Sequence, residues 1–387
     1  MNHSYELNQE QLRGWRRHLH QNPELSFQEE RTSQFVYDTL CTFEGLTVTR
    51  PTSCSVMAIL RSGRPGKTIA LRADMDALPL QEETGAEYAS RVPGVMHACG
   101  HDGHTAILLE TARILAGMRQ QISGEIRFFF QHAEEQYPGG AEEMVRAGVM
   151  DGVDAVFGLH LMSGLETGKI GIAYGPMMAA PDVFQIEVQG KGGHAARPEE
   201  TIDPIAVGMQ IVNNLQHIVS RATGAFDQRV VSVTQFHAGT ADNIIPDTAS
   251  IMGTVRCFRQ ELREEADELI GRIANGIAAA HGASCTYQYR YGYRPVVNDH
   301  RMTALVEKVA GSLAGRAAVV TVPPSMGGED FSAFLQKAPG CFFKLGSGNA
   351  GKGTNYPHHH PRFDIDEEAL PLGVEMFVHL ICRLSAE

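Results

Sequence analysis

Four short segments carry side chains that could hold metal ions and move protons. The segment MHACGHDGH (96–104) offers Cys99, His101, Asp102 and His104 within a few residues. Thiolate and imidazole suit zinc and the manganese-to-nickel divalent ions. Gly100 permits a sharp backbone turn that could bring Cys99 and His101 onto one ion. His104 lies three residues beyond His101 and fits either the core or a supporting role behind a ligand. In FFFQHAEEQ (128–136), Glu134 and Glu135 follow an apolar run. Two carboxylates at the end of a buried strand are costly unless used. One can ligate a cation while its neighbour acts as general base on water. His160 closes the apolar run FGLH (157–160), and NYPHHHPRFDIDE (355–367) presents His358, His359 and His360.

Each fragment alone has a plain structural alternative: a buried thiol, an acidic helix start, a satisfied core histidine, an exposed histidine loop. Together they supply Cys/His, Glu/Glu, His and His from four segments. Five ligands and a spare glutamate suit two divalent ions about 3.5–4 Å apart, which polarise a carbonyl and lower the pKa of an attacking water.

The elements that must position these residues alternate helix and strand. Helices are expected at 8–20, 26–44 and 103–119, the second opening near Ser26 with Glu29 and Glu30 in its first turn. Strands are expected at 55–61, 68–74, 125–131 and 154–159. This predicts an α/β domain with a mostly parallel central sheet, whose strand ends are where ligands bind. After Gly175-Pro176 the pattern changes. Strands at 183–189, 229–236, 248–258 and 285–291 and helices at 204–220 and 260–281 follow β-α-β-β-α-β order, an α+β ferredoxin-like arrangement. The first pattern resumes with helices at 300–315, 328–336 and 366–384 and strands at 317–322 and 341–346. The expected organisation is a discontinuous large domain (1–180 and 295–387) with a smaller inserted domain (181–294).

Composition excludes several classes. The chain has 387 residues, 43% hydrophobic and 20% charged, an ordinary globular balance. A formal charge of −12 argues against nucleic acid or an anionic membrane as a general partner. No apolar run is long enough for a spanning helix, and the first residues lack a signal-peptide core, so a cytoplasmic protein is expected. Seven scattered cysteines without a CxxC pair read as reduced thiols. There is no GxGxxG of a dinucleotide-binding dehydrogenase.

RADMDALP (72–79), HACGHDGH (97–104), QHAEE (131–135), GLH (158–160), GGHAARP (192–198), NIIPD (243–247), GTVRCF (253–258), GGEDF (327–331) and HHHPRFD (358–364) occur in this order. With RRHLHQNPELSFQE (16–29), they resemble the metal-dependent aminoacylase/carboxypeptidase family. The nearest branch is that of hippurate hydrolase, N-acyl-L-amino-acid amidohydrolases and indole-acetyl-amino-acid hydrolases. The resemblance implies Cys99, His101, Glu135, His160 and His359 as metal ligands, His359 because the family ligand stands two residues before the proline, here Pro361. His358 occupies a position that is usually apolar in the family. Glu134 matches the general base and Asp76 the acid that orients the site. Relatives outside the branch carry a histidine where this chain has Asp74, which fits Cys99 as the replacement ligand.

The resemblance makes the large domain catalytic and the inserted domain a lid and dimerisation domain. It implies that in this lid His194 stabilises the oxyanion, across a dimer in the family, and that Asn243 and Arg256 hold the substrate. An arginine fork suits a free carboxylate. The implied function is hydrolysis of small N-acyl-L-amino acids to a carboxylic acid and a free amino acid, with two zinc or manganese ions (or cobalt or nickel) and a homodimer formed through the lid. A dipeptidase or carboxypeptidase with the same site is the second reading. A non-catalytic metal-binding protein is the third.

Overall fold

A computed structural model describes residues 5–385. The helices are α1 (Gln9–Gln21), α2 (Glu30–Cys41), α3 (His101–Gly117), α4 (Gly140–Arg146), α5 (Pro204–Arg221), α6 (Gln260–Ala280), α7 (His300–Leu313), α8 (Ser332–Leu335) and α9 (Leu370–Leu384). The strands through the lid are β1 (Leu46–Thr49), β2 (Val56–Arg61), β3 (Thr68–Asp74), β4 (Glu125–Gln131), β5 (Ala155–Glu166), β6 (Ile170–Ile172), β7 (Gly175–Met178), β8 (Ala180–Gln189), β9 (Gly193–His194), β10 (Arg229–Ala238), β11 (Ile244–Ile245), β12 (Thr248–Cys257) and β13 (Ser284–Arg290). They are followed by β14 (Val296–Asn298), β15 (Val319–Thr321) and β16 (Gly340–Gly348).

The chain forms two compact units. One holds the chain up to Met177, Val297–Pro323 and the chain from Asp330. The other holds Met178–Val296 and Pro324–Glu329.

The first unit is built on an eight-stranded sheet of order β1-β2-β4-β3-β5-β16-β6-β15. The centre is parallel: β4 with β3, β3 with β5 and β5 with β16. The antiparallel pairings, β1 with β2, β2 with β4 and β16 with β6, lie outside it. Parallel strands need cover on both faces. Phe128, Phe130, Leu71, Phe157 and Phe343 are accordingly buried in one core with α3 and α9 side chains such as Leu108 and Phe377.

Three expectations shift for local reasons. Helix α2 starts at Glu30, not Ser26, because Phe27 takes a left-handed backbone (φ 65°) that no helix continues. Helix α3 starts two residues early, at His101, because Gly100 turns the chain at φ 92°. β5 runs on to Glu166 because β16 pairs along it, so His160 sits within a strand, opposite Lys344, and not at a strand end.

The second unit has a sheet of order β10-β12-β8-β13, antiparallel throughout. The order β8-α5-β10-β12-α6-β13 is the ferredoxin-like pattern. Asp203 caps α5 by accepting the Ile205 amide at 2.8 Å, with Pro204 in the first turn. Ile211 and Leu215 of α5 and Ile270 and Ala274 of α6 cover Phe184, Ile186 and Ile251 on one face of the sheet.

Candidate metal centre

The site residues of the first unit come from the ends of β3 and β4, the start of α3, the middle of β5 and the segment between β16 and α9. Asp74 ends β3, and Asp76 follows it. The chain leaving β4 turns sharply at Ala133, which has a Cβ and yet takes φ 49°. That turn presents Glu134 and Glu135. The amide of Glu135 donates to Asp76 Oδ2 at 2.9 Å. Gly100, at φ 92°, turns the chain between Cys99 and His101. His359 also takes a left-handed backbone (φ 63°), pinned by its amide on the Ala98 carbonyl at 2.8 Å.

These segments make two overlapping donor groups. Ligand atoms of Cys99, His101 and Glu135 lie within 4.8 Å of one another, as do those of Cys99, His160 and His358. Cys99 belongs to both, with its Sγ 3.5 Å from His160 Nε2. His359 Nε2 is 3.1 Å from Glu135 Oε1. His360 turns away, stacking on Tyr356 and accepting the Arg362 amide at 3.0 Å.

Backbone carbonyls select the ring tautomers. His101 Nδ1 lies 2.9 Å from the Asp76 carbonyl and must donate there, so Nε2 is the nitrogen that can give up its proton to an ion. That Nε2 is buried without a hydrogen-bond partner, 3.8 Å from Asp74 and 4.0 Å from Glu135. His160 Nδ1 donates to the Leu161 carbonyl at 2.8 Å, freeing Nε2. His358 Nε2 donates to the same carbonyl at 2.9 Å, freeing Nδ1. His104 has nothing free: Nδ1 donates to Asp74 at 2.6 Å, and Nε2 accepts the Leu161 amide at 2.8 Å. It is therefore a supporting residue.

The electrostatics suit a cation. Burial opposes a charged His101, but Asp74, Asp76 and Glu135 outweigh it and push the ring up to about 10. Burial, then the Glu135 and Glu134 carboxylates, hold the Cys99 thiol well above its usual range. Burial keeps His160 well below the usual histidine range and His358 down to about 4, so both rings are neutral. A buried orphan nitrogen, a thiol among carboxylates and neutral imidazoles form a donor set that divalent ions complete. Asp74 is less free than its position suggests, since Arg72 sits 2.7 Å from it.

Among the residues expected from sequence, Cys99, His101, Glu135, His160 and His359 come together, and the buried Glu134 carboxylate is near enough to act on the Cys99 thiol. His358 is the addition. Its only signal was a histidine at a position expected to be apolar.

In the second unit, His194 and Asn243 stand on one small ribbon. Ile244 pairs with His194 across β9 and β11, and the Ala195 amide donates to the Asn243 carbonyl at 3.1 Å. His194 Nδ1 accepts the Ala196 amide at 3.1 Å, which leaves Nε2–H as an exposed donor. Arg256 is elsewhere. It pairs with Pro181 on β8, whereas the ribbon follows the end where Thr248 pairs with Gln189. From Thr248 to Arg256 is eight residues (256 − 248), roughly 26 Å at about 3.3 Å each. Within one unit, His194 and Asn243 are together and Arg256 is apart.

Comparison with known proteins places this arrangement. Residues 70–383 match the model of Peptidase family M20/M25/M40. The chain belongs to this family. It is 63% identical over 284 residues to an N-acyl-L-amino acid amidohydrolase of Geobacillus stearothermophilus, spanning 73% of this chain and 77% of the relative. It is 46% identical over 377 residues to thermostable carboxypeptidase 2 of Saccharolobus solfataricus, spanning 96% of this chain and 94% of the relative. A solved Bacillus subtilis structure, described as a dinuclear metal-binding peptidase of the M20 family, matches with a TM-score of 0.86 at 38% identity over 98% of each chain. This M20-family chain is a metal-binding amide-bond hydrolase, in agreement with the resemblance carried by its motifs. Among the described residues, no helix is long and apolar enough to cross a membrane.

Proposed function

We propose that this M20-family hydrolase cleaves the amide bond of N-acyl-L-amino acids, releasing a carboxylic acid and a free amino acid. The observation that carries the reading is the pair of donor groups sharing Cys99, with the buried Glu134 carboxylate near enough to act on the Cys99 thiol. They fit two divalent ions. Cys99, His101 and Glu135, with His359 beside Glu135, would hold one. Cys99 and His160, with His358 beside them, would hold the other. Bound there, the ions supply Lewis-acid polarisation of the acyl carbonyl and a more acidic attacking water.

The protein's own residues do the rest. Glu134 takes the water's proton during attack and returns it to the leaving amine. Asp76 orients His101 and the Glu135 amide. The exposed Nε2–H of His194 suits the developing oxyanion, and Asn243 beside it suits a substrate amide or carboxylate. Arg256 suits the free carboxylate, a local cation on a chain of net charge −12. Burial lowers its pKa from the usual arginine value. Because Arg256 lies far from His194 in its own unit, a homodimer formed through the lid would let His194 and Asn243 serve a second copy. The exposed edges β10 and β13 are candidate pairing strands.

The test is free-amine release from N-benzoyl, N-acetyl and indole-acetyl amino acids and from dipeptides, using chelated protein and then protein restored with zinc, manganese or cobalt. Metal-dependent release from the acyl amino acids is expected. Preference for dipeptides would favour the second reading, a peptidase, which the carboxypeptidase relative supports. No release with any ion would overturn both.

A further inference from the structure

Glu29 is fully buried, yet it does not cap α2, the helix it opens. Its side chain reaches across the sequence instead. Oε1 accepts the amide of Ala133 at 2.7 Å, 104 residues away. Ala133 is the residue in the left-handed region after β4, a conformation costly for any residue with a Cβ. Its carbonyl accepts the Gly140 amide at 3.0 Å, so the turn is held on both sides. Two residues on, the Glu135 amide is held by Asp76 Oδ2 at 2.9 Å. Glu134 therefore sits between two amides, each gripped by a buried carboxyl group.

Stability alone does not account for a glutamate here. Glu29 Oε2 is buried without a hydrogen-bond partner, which costs stability that an apolar side chain would not. Burial and the adjacent Asp76 charge push the Glu29 carboxyl up to about 8. Near neutrality it accepts the amide through a carbonyl oxygen, a role glutamine can reproduce.

We propose that Glu29 is a positioning residue for hydrolysis: by holding the Ala133 amide, it keeps Glu134 in register with the metal ligand Glu135. The inference rests on the reading that Glu134 moves the water's proton. It predicts sensitivity to reach, not to charge. Aspartate keeps the acid but withdraws the oxygen by one methylene, whereas glutamine keeps the oxygen in place. Misplacement of a reacting group by about 1 Å can cost on the order of 100-fold in rate.

The experiment compares wild type, Glu29→Gln, Glu29→Asp and Glu134→Gln, each metal-restored, on the best N-acyl amino acid substrate. It reads kcat, KM, metal content and Tm. Glu29→Gln is expected within about threefold of wild-type kcat. Glu29→Asp is expected to lose about 30-fold or more in kcat, with KM and metal content near wild type. Three results would overturn the inference: wild-type kcat in Glu29→Asp, an equal loss in Glu29→Gln, or a loss that follows metal content. Should Glu29→Asp not fold, a tenfold or greater fall in kcat in Glu29→Gln still rejects it, by about the margin a missing acceptor is argued to cause. Glu134→Gln separates the two levels. Turnover there removes the functional reading, whereas a dead Glu134→Gln beside an unimpaired Glu29→Asp removes only the role of Glu29.

Discussion

His101 donates its Nδ1 proton to Asp76, whose carbonyl lies 2.9 Å and whose Oδ1 lies 3.1 Å from that nitrogen. The ring is thereby held in place, with Nε2 between Asp74 and Glu135, 3.8 and 4.0 Å away. Asp76 Oδ2 meanwhile accepts from Ser26 Oγ at 2.7 Å and from the Glu135 amide. One carboxylate thus sets the mutual geometry of two ligands.

Asp76→Ala should remove the Oδ1 contact to His101, leaving only the backbone carbonyl to hold the ring, and should leave the Glu135 amide unpartnered. Metal affinity is expected to fall about 10–100-fold, the usual effect of losing a carboxylate behind a ligating histidine. Titration against a competing chelator measures it. Unchanged affinity would make Asp76 a packing residue only.

Glu134→Gln should keep the fold and the metal content and lose about 10²–10⁴-fold in turnover, the range for a general base. Amine release at matched metal-to-protein ratio is the check. A near-normal rate would reassign the proton transfer.

His104 and Cys99 should behave oppositely. His104→Ala removes a bond to Asp74 and one to the Leu161 amide, so it should cost about 1–3 kcal/mol of stability for each buried group left unpaired, with metal stoichiometry preserved. Cys99→Ala should lower the metal-to-protein ratio, because Cys99 stands in both donor groups. Denaturant titration and elemental analysis of the two variants distinguish the roles.

Stripping the ions with chelator should lower stability, since binding only the folded chain contributes about 2.7 kcal/mol at roughly 100 times Kd. Melting curves with and without zinc or manganese test this. Identical curves would argue against a cation at the Cys99 cluster.

A charged network behind the site sets an acid limit. Arg16 lies 2.8 Å from Asp102, both fully buried, and His20 Nδ1 is 2.8 Å from the same oxygen. Burial opposes ionisation of Asp102, but Arg16 and His20 outweigh it and hold the carboxyl well below its usual range. Its stabilising contribution is present above the unfolded value, about 3.9, and is lost as pH falls through the folded one. Burial and Arg16 oppose charge on His20, but Asp102 and Glu82 raise it. That contribution is present below about 6.5 and is lost as pH rises through the folded value. Asp102→Asn should cost about 3–5 kcal/mol at neutral pH and flatten the stability profile below about pH 4. Urea midpoints across pH measure both effects.

Much of this was legible in the residues. Cys99 and His101 share one nine-residue segment, Glu134 and Glu135 are adjacent, and residue type alone marks them as donors. The alternation of apolar runs foretold the α/β sheet and the β-α-β-β-α-β unit. What escaped reading depends on backbone geometry. Ala133 in the left-handed region has no signature in its side chain, so the turn that presents both glutamates was invisible. Glu29 looked like a first-turn helix acid because its true partner is 104 residues away. β5 outran its apolar core because its pairing with β16 is a long-range property. His358 sat where an apolar residue was expected, and only the Leu161 carbonyl reveals its free nitrogen.

The backbone of Leu161 joins three histidines: its amide donates to His104, and its carbonyl accepts from His160 and His358. The last of these lies 197 residues downstream. During synthesis, Cys99, His101, Glu135 and His160 are all made before the segment that adds His358 and His359. A nascent chain therefore carries most of the donors but not the complete cage. On this topology, the two donor groups reach their full complement only once the segment bearing His358 and His359 has been made.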